Sequence, residues 1–202
     1  MNISELLDSG FKTLKQKKIK TYQLDSELLL SNLLKGQREI LITNSNQRVS
    51  KNTILNFKKL INRRANREPI AYILKNKEFW SKKFFVDRNI LIPRPETELL
   101  CENVIKIFKN KKLHILDMGT GSGCILLSIL SELKMAKGVG VDISKKAIEI
   151  AKKNSNKLGL TKRVKFSHKS LEDIYGYKFD LIVSNPPYIE SSDIKSLSDD
   201  VK

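Results

Sequence analysis

Apolar residues recur every three or four positions through the first third of the chain, which is the pattern of helices with one buried face. Three stripes follow this spacing, and their members are Ile3, Leu6, Leu7, Phe11 and Leu14; Leu24, Leu28, Leu29 and Leu33; and Ile54, Phe57, Leu60 and Ile61. Gly36 follows the second stripe, Ser50 is a suitable N-cap for the third, and Pro69 lies beyond its end. Residues 2–66 are therefore predicted to form three helices with a shared core.

The pattern changes at residue 70 to short runs rich in aromatic and β-branched residues. Ile70–Leu74 is one run, Phe79–Val86 is another, and the polar residues 75–77 lie between them. Two such runs with a short polar link predict a β-hairpin. A helix is expected to follow over Thr97–Phe108.

From residue 112 onwards, short apolar strands alternate with helices. The predicted strands are Leu113–Asp117, Gly138–Asp142, Arg163–Ser167 and Phe179–Ser184. Helices are predicted over Ser122–Leu133 and from Ser144 to Gly159. This alternation predicts an α/β domain with a Rossmann-like parallel sheet and right-handed crossovers.

Composition indicates a soluble, cytoplasmic protein without a metal site. None of its apolar runs approaches the roughly 20 residues that cross a bilayer, and the N-terminus has no features of a secretory signal. Cys101 and Cys124, the two cysteines, make neither a disulfide framework nor a metal quartet. No membrane association is expected.

Positive charge is concentrated in the N-terminal part. The net charge is +16, and residues 1–88 contribute +11 of it, from 19 Lys and Arg against 8 Asp and Glu. Two interpretations remain open. Either this part contacts RNA or a ribonucleoprotein, or its lysines only solvate the helices.

Glycines cluster after the first strand of the predicted sheet, in Asp-Met-Gly-Thr-Gly-Ser-Gly at 117–123. Glycines at such a turn allow the backbone to bend tightly and to approach a ligand closely. Asp142 ends the next strand, 19 residues after Gly123, where a carboxylate can accept both hydroxyls of a ribose. The pattern predicts a nucleoside cofactor, and its predicted contacts are Gly119, Thr120, Gly121, Ser122, Gly123 and Asp142.

The spacing of the glycines favours S-adenosylmethionine over a nicotinamide dinucleotide. The dinucleotide fingerprint is G-x-G-x-x-G, whereas this loop reads G-x-G-x-G and has Cys124 at the place of the third glycine. Asp117 also suits a ligand that carries a positive ammonium group rather than a pyrophosphate.

Asn-Pro-Pro-Tyr at 185–188 follows the fourth predicted strand, at the carboxyl edge where open α/β sheets bind ligands. An amide nitrogen is a poor nucleophile, so it must be positioned well. The Asn185 side-chain oxygen and the Pro186 carbonyl can accept its two N–H groups, Pro187 stiffens the loop, and Tyr188 can stack on the planar group. These residues are predicted to bind the substrate, with Asn185, Pro186 and Tyr188 catalytic and Asn185 also near the cofactor.

Several segments together resemble the release-factor glutamine N5-methyltransferases. Besides the glycine loop, they are Arg-Glu-Pro-Ile-Ala-Tyr-Ile at 67–73, Lys-Glu-Phe-Trp at 77–80, Ile-Pro-Arg-Pro-Glu-Thr-Glu at 92–98, Val-Asp-Ile-Ser at 141–144 and Val-Ser-Asn-Pro-Pro-Tyr-Ile at 183–189. The match covers nearly the whole chain. Asn-Pro-Pro-Tyr is shared with adenine-N6 DNA methyltransferases and some guanine-N2 RNA enzymes, but the segment at 92–98 is more particular.

The resemblance implies a class I S-adenosylmethionine-dependent methyltransferase that methylates the glutamine of Gly-Gly-Gln in class-1 peptide chain release factors and so modulates translation termination. It implies a helical substrate-recognition domain at 1–68, a β-hairpin linker at 69–92 and a methyltransferase domain at 93–202. It also places the segment Arg94-Pro95-Glu96-Thr97 beside the site, with Arg94 and Glu96 as substrate contacts. Near the adenine, where family members often have an acidic residue, the sequence reads Lys169-Ser170, and Ser170 is the expected cofactor contact.

The sheet of the family has seven strands, and this sequence shows four. The sheet is therefore expected to be incomplete at the C-terminus, and the 202-residue chain to be marginally stable and essentially inactive. Two other functions remain open. One is a nucleic-acid methyltransferase that acts on adenine N6 or guanine N2, and the other is a non-catalytic binding module.

Overall fold

Residues 1–174, 176 and 178–186 are described by the computed structural model of the chain. Within them, residues 1–74 form one unit, and a second unit starts at Lys75. Asn-Pro-Pro-Tyr is only partly included, because Pro187 and Tyr188 lie outside the described residues.

Five helices make up the first unit: α1 (Ile3–Gln16), α2 (Tyr22–Leu33), α3 (Ile40–Thr43), α4 (Lys51–Ala65) and α5 (Ile70–Leu74). The three helices predicted over residues 2–66 are confirmed as α1, α2 and α4. A capping box of Asn2 and Glu5 begins α1, and the Ser50 hydroxyl caps α4 by accepting the Thr53 N–H at 3.1 Å. Apolar residues of these helices form a core of their own.

The buried face of α2 differs from the predicted stripe. Leu24 is 41% exposed, whereas Asp25 and Leu30 are buried. The Asp25 carboxylate receives the Arg64 Nε–H at 2.7 Å and the Thr21 hydroxyl at 2.7 Å. Because a paired, hydrogen-bonded carboxylate can be buried, Asp25 takes a core position and Leu24 faces solvent.

The second unit begins with a hairpin of β1 (Asn76–Phe79) and β2 (Lys82–Phe85). The prediction of a strand at 70–74 is wrong, since those residues form α5, and the turn lies at Trp80 and Ser81, inside the second predicted run. A continuous strand would put Phe79 and Phe84 on opposite faces, because their separation is odd. The turn brings both rings into the core, where they meet edge to face with centroids 6.2 Å apart.

Four parallel strands form the sheet of this unit, in the order β5 (Val164–His168), β4 (Lys137–Asp142), β3 (His114–Met118), β6 (Leu181–Ser184). The helices of the unit are α6 (Glu98–Ile107), preceded by a 3₁₀ turn at Pro95–Thr97, α7 (Cys124–Glu132) and α8 (Lys145–Lys157). The predicted class, an α/β fold with a Rossmann-like parallel sheet, is confirmed.

The order of the strands determines where a ligand can bind. The chain runs from β3 outwards through β4 to β5 and then returns to pair β6 with the other edge of β3. The strand order therefore reverses between β3 and β6, and such a switch point opens a crevice at the carboxyl ends of the strands. Among the described residues, no helix is long and apolar enough to cross a membrane.

Candidate active site

The loop between β3 and α7 adopts a backbone that requires its glycines. Gly119, Gly121 and Gly123 have φ angles of +68°, +54° and +77°, a region that side chains with a Cβ rarely enter. A Cβ at Gly119 would meet no atom within 4 Å. The backbone of the loop is thus open on the side where a ligand would lie.

Asp142, at the end of β4, holds this loop. Its Oδ2 accepts the Gly121 N–H and its Oδ1 accepts the Ser144 N–H, both at 2.9 Å. The Thr120 N–H donates to the Val141 carbonyl at 2.9 Å. Each carboxylate oxygen of Asp142 can accept a further hydrogen bond, so the side chain can support the loop and still bind hydroxyl groups.

Asp117 lies beneath the loop at the end of β3. Its side chain is 1% exposed; Oδ2 accepts the Thr120 hydroxyl at 2.6 Å, and Oδ1 has no hydrogen-bond partner within the described part of the chain. Burial, together with the nearby charge of Asp142, raises the pKa of Asp117 to about 7, against the opposing effect of the Thr120 hydrogen bond.

A cavity of about 480 Å³ opens at the crevice, within the range of small-molecule sites. Of the predicted site residues, those that line it are Gly119, Thr120, Gly121, Ser122, Asp142, Asn185 and Pro186. The structure thus brings the glycine loop, its acid and the start of Asn-Pro-Pro-Tyr to one cavity.

Four predicted residues lie outside this lining. Gly123 is the N-cap of α7, and Lys169 lines the cavity where Ser170 was expected. Arg94 and Glu96 are likewise absent from the lining, although Pro93 and Thr97 on either side of them belong to it. Their proposed roles remain predictions, as do those of Pro187 and Tyr188, which lie outside the described residues.

The sequence pattern did not identify one wall of the cavity. Residues 89–93, with the apolar Ile90, Leu91 and Ile92, line it, and so does Ile143 directly after Asp142. Leu91 and Ile143 are 59% and 78% exposed. These apolar residues belong to no predicted helical or strand stripe, and Ile143 directly follows a predicted ligand-binding residue. Those two features are the signal that could have identified this wall from the sequence.

Asn185 follows β6 at the mouth of the crevice. Its Nδ2 lies 3.4 Å from the hydroxyl of Thr97, the residue that precedes α6. The neighbouring Ser184 hydroxyl donates to the Met118 carbonyl of β3 at 3.0 Å. These contacts hold the start of the Asn-Pro-Pro-Tyr loop against β3 and α6.

Two regions of the chain match known protein families. Residues 5–74 match the family described as PrmC N-terminal domain, and residues 109–199 match a methyltransferase domain family. A release factor glutamine methyltransferase of Clostridium acetobutylicum is 39% identical over 100% of this chain and 72% of its own length.

The chain belongs to the release factor glutamine methyltransferase family. A second relative of this name, from Buchnera aphidicola subsp. Baizongia pistaciae, is 41% identical over 88% of this chain. The match covers 64% of that relative's length. Among solved structures, a ribosomal protein L11 methylase of Lactobacillus delbrueckii subsp. bulgaricus is 27% identical over 50% of this chain and 51% of its own, with a TM-score of 0.43.

Proposed function

We propose that the chain binds S-adenosylmethionine and methylates the side-chain N5 of the glutamine in the Gly-Gly-Gln motif of class-1 peptide chain release factors, which would modulate translation termination. One observation carries the proposal: Asn185 and Pro186 line the same cavity as the glycine loop and Asp142. Membership of the release factor glutamine methyltransferase family supports the choice of substrate.

The residues of the cavity fit this cofactor. Gly119 and Gly121 leave free the space that side chains would fill, so a ligand can lie directly on the loop. Asp142 lines the cavity with a carboxylate already held by two backbone N–H groups, and it would accept the ribose hydroxyls. When bound, the cofactor supplies a methyl group that is already activated on its sulfonium.

The part left to the protein is to position the glutamine amide. Its nitrogen lone pair is delocalised into the carbonyl, so the amide must be held with the face of that nitrogen towards the methyl group. Asn185 Oδ1 and the Pro186 carbonyl would each accept one N–H of the substrate. Positioning of this kind can contribute on the order of 7–11 kcal/mol to lowering the barrier. No general base needs to form the nucleophile, and the one proton that the nitrogen gives up on methylation passes to solvent.

Transfer of labelled methyl groups tests the proposal. The described residues already bring the glycine loop, Asp142 and Asn185 to one cavity, so the 202-residue chain should label a class-1 release factor, contrary to the inactivity expected from its four strands. It should not label the same factor with its Gly-Gly-Gln glutamine changed to glutamate. Asn185→Ala should lower the rate about 100- to 1000-fold, by analogy with the loss of a positioning donor, and leave cofactor affinity in calorimetry nearly unchanged. The matched control is Asn103→Ala, which changes an exposed asparagine of α6.

Labelling of DNA or RNA in place of the release factor would instead identify a nucleic-acid methyltransferase, the rival function. Cofactor binding without methyl transfer to either class of substrate would contradict both.

We also propose two contacts for the helical unit, residues 1–74: the release factor and RNA of the ribosome. Five exposed lysines lie within nine residues at the end of α1 and the turn after it, and they are Lys12, Lys15, Lys17, Lys18 and Lys20. Within the described residues, none of them forms a salt bridge. Closely spaced ammonium groups without carboxylate partners favour a polyanion as the partner.

A further inference from the structure

The contact between Thr97 and Asn185 joins two segments that are 88 residues apart in the sequence. Both residues line the cavity. The distance from Asn185 Nδ2 to Thr97 Oγ1 is 3.4 Å, which is long for a hydrogen bond of this kind. Contacts in active sites are often long before the substrate is bound and shorten in the complex.

The two ends of an asparagine amide have opposite hydrogen-bonding character. The oxygen only accepts and the NH₂ group only donates, so the orientation of the amide decides which chemical group Asn185 can hold. If Nδ2 donates to Thr97, Oδ1 is left to accept an N–H from a bound ligand. Among the residues described, none other forms a hydrogen bond with the Asn185 side chain.

The opposite orientation would not suit an amide substrate. If the Thr97 hydroxyl donated to Oδ1, the NH₂ group of Asn185 would face the NH₂ group of the substrate. Two donors would then oppose each other without an acceptor, and each would lose its hydrogen bond to water. Asn185 can therefore bind the NH₂ group of an amide substrate only if Thr97 is the acceptor in the hydrogen bond between Asn185 and Thr97.

Thr97 is held well enough to fix this orientation. Its N–H donates to the Arg94 carbonyl at 3.1 Å, which closes the 3₁₀ turn before α6. The next residue, Glu98, accepts the Trp80 N–H of the hairpin turn through Oε1 at 2.8 Å. Thr97 thus lies between two anchored points, on the start of a helix rather than on a free loop.

We propose that Thr97 is a positioning residue: its hydroxyl accepts the Asn185 Nδ2–H and so turns Asn185 Oδ1 towards the methyl-accepting nitrogen. This inference rests on the proposed function for its consequence in catalysis. The hydrogen bond itself is a property of the protein alone, and it can be tested without a substrate.

The first test compares two variants of Thr97. Thr97→Val keeps the shape and removes the hydroxyl, so kcat for methyl transfer should fall about 10- to 100-fold, as a small misplacement of reacting groups does. The affinity for S-adenosylmethionine should change less than about twofold. Thr97→Ser restores the hydroxyl and should recover most of kcat, and the exposed Thr161→Val is the matched control.

The second test observes the hydrogen bond by NMR. The side-chain NH₂ resonances of Asn185, assigned through their loss in Asn185→Asp, should shift in Thr97→Val and return towards their original positions in Thr97→Ser. Unchanged resonances in Thr97→Val would overturn the inference. So would a serine variant as slow as the valine variant, or a valine variant that loses cofactor affinity in proportion to its rate.

The two tests also separate this inference from the function on which it rests. If the Asn185 resonances respond to Thr97 while the wild-type chain methylates no release factor, the contact stands and the proposed function fails. If the chain methylates the release factor and Thr97→Val is as fast as the wild type, the function stands and the role of Thr97 is refuted.

Discussion

Buried carboxyl groups usually have partners for both oxygens, and Asp117 has a partner for one. Its Oδ2 accepts the Thr120 hydroxyl, which fixes a residue of the glycine loop, while Oδ1 is buried without a partner in the described residues. The sequence suggested that Asp117 faces an ammonium group of the ligand. The structure places it under the loop and outside the lining of the cavity. The testable consequence of this burial is therefore its effect on the stability of the folded chain.

The raised pKa of Asp117 makes stability depend on pH. Unfolded, the carboxyl has a pKa of about 3.9, while burial raises the pKa in the folded chain to about 7. Between these values the folded state keeps a proton that the unfolded state has released. The free energy of unfolding should therefore fall from about pH 4 to about pH 7, by at most about 4 kcal/mol, and this group should add no further change above pH 7.

Asp117→Asn remains neutral and should lose this part of the pH dependence. Urea denaturation at about pH 5 and about pH 8 measures it in the variant and the wild type. Glu102→Gln, which removes an exposed acid, serves as the control. Equal pH dependence in Asp117→Asn and the wild type would show that Asp117 is ionised in the folded state across the whole range.

At the scale of the elements, one asparagine joins three of them. The Asn154 side chain on α8 is 1% exposed. Its Oδ1 accepts the Phe85 N–H of β2 at 2.7 Å, and its Nδ2 donates to the carbonyls of Phe85 at 3.0 Å and of Ser122 at 2.9 Å. The amide thus forms hydrogen bonds with both the N–H and the carbonyl of one hairpin residue, as a neighbouring strand would. It also connects the hairpin to the glycine loop.

Removal of this amide should be costly. Asn154→Ala leaves the buried Ser122 carbonyl and the partly buried N–H and carbonyl of Phe85 without this partner, and a fully buried unpaired group costs about 1–3 kcal/mol. We expect a loss of about 3 kcal/mol or more in chemical denaturation. Asn156→Ala changes an exposed asparagine of the same helix and should lower the stability only slightly. Similar losses of stability in both variants would mean that the hydrogen bonds of Asn154 do not stabilise the fold.

At the scale of the whole molecule, the distribution of charge has a measurable consequence. If phosphates contact the lysines at the end of α1, binding to RNA must weaken as salt rises, because bound counterions are released. Lys17, Lys18 and Lys20 are exposed members of this cluster. The slope of log K against log salt is negative. Changing all three lysines to glutamine should make it less steep by about 2, since each contact with a single strand contributes about 0.7 to its magnitude.

Binding to a single-stranded RNA at several salt concentrations is the measurement. The control changes three exposed lysines of the second unit to glutamine, namely Lys106, Lys109 and Lys112, and alters the net charge equally. The same slope in the two triple variants would mean that RNA responds only to net charge, and the proposed contact would be wrong.

Much of the fold could be predicted because its signals are local. Apolar spacing indicated α1, α2 and α4, short apolar runs indicated the four parallel strands, and the alternation of strand and helix indicated their parallel sheet. The glycines of the loop and Asp142 were also readable, since a tight turn and a carboxylate at a strand end are needed wherever such a loop binds a ligand.

The sequence by itself thus determined the types of most elements, with α5 as an exception, the class of the fold, the family and the segments that meet at the cavity. Tertiary structure decided the faces and the partners. Asp25 is buried because Arg64, 39 residues away, pairs with it, and the turn at Trp80 exists because two phenylalanines share one core. The sequence placed the segment Arg94–Thr97 beside the site, but only the structure shows that Thr97 is the member that contacts Asn185, because packing brings distant groups together and a local pattern does not contain that information.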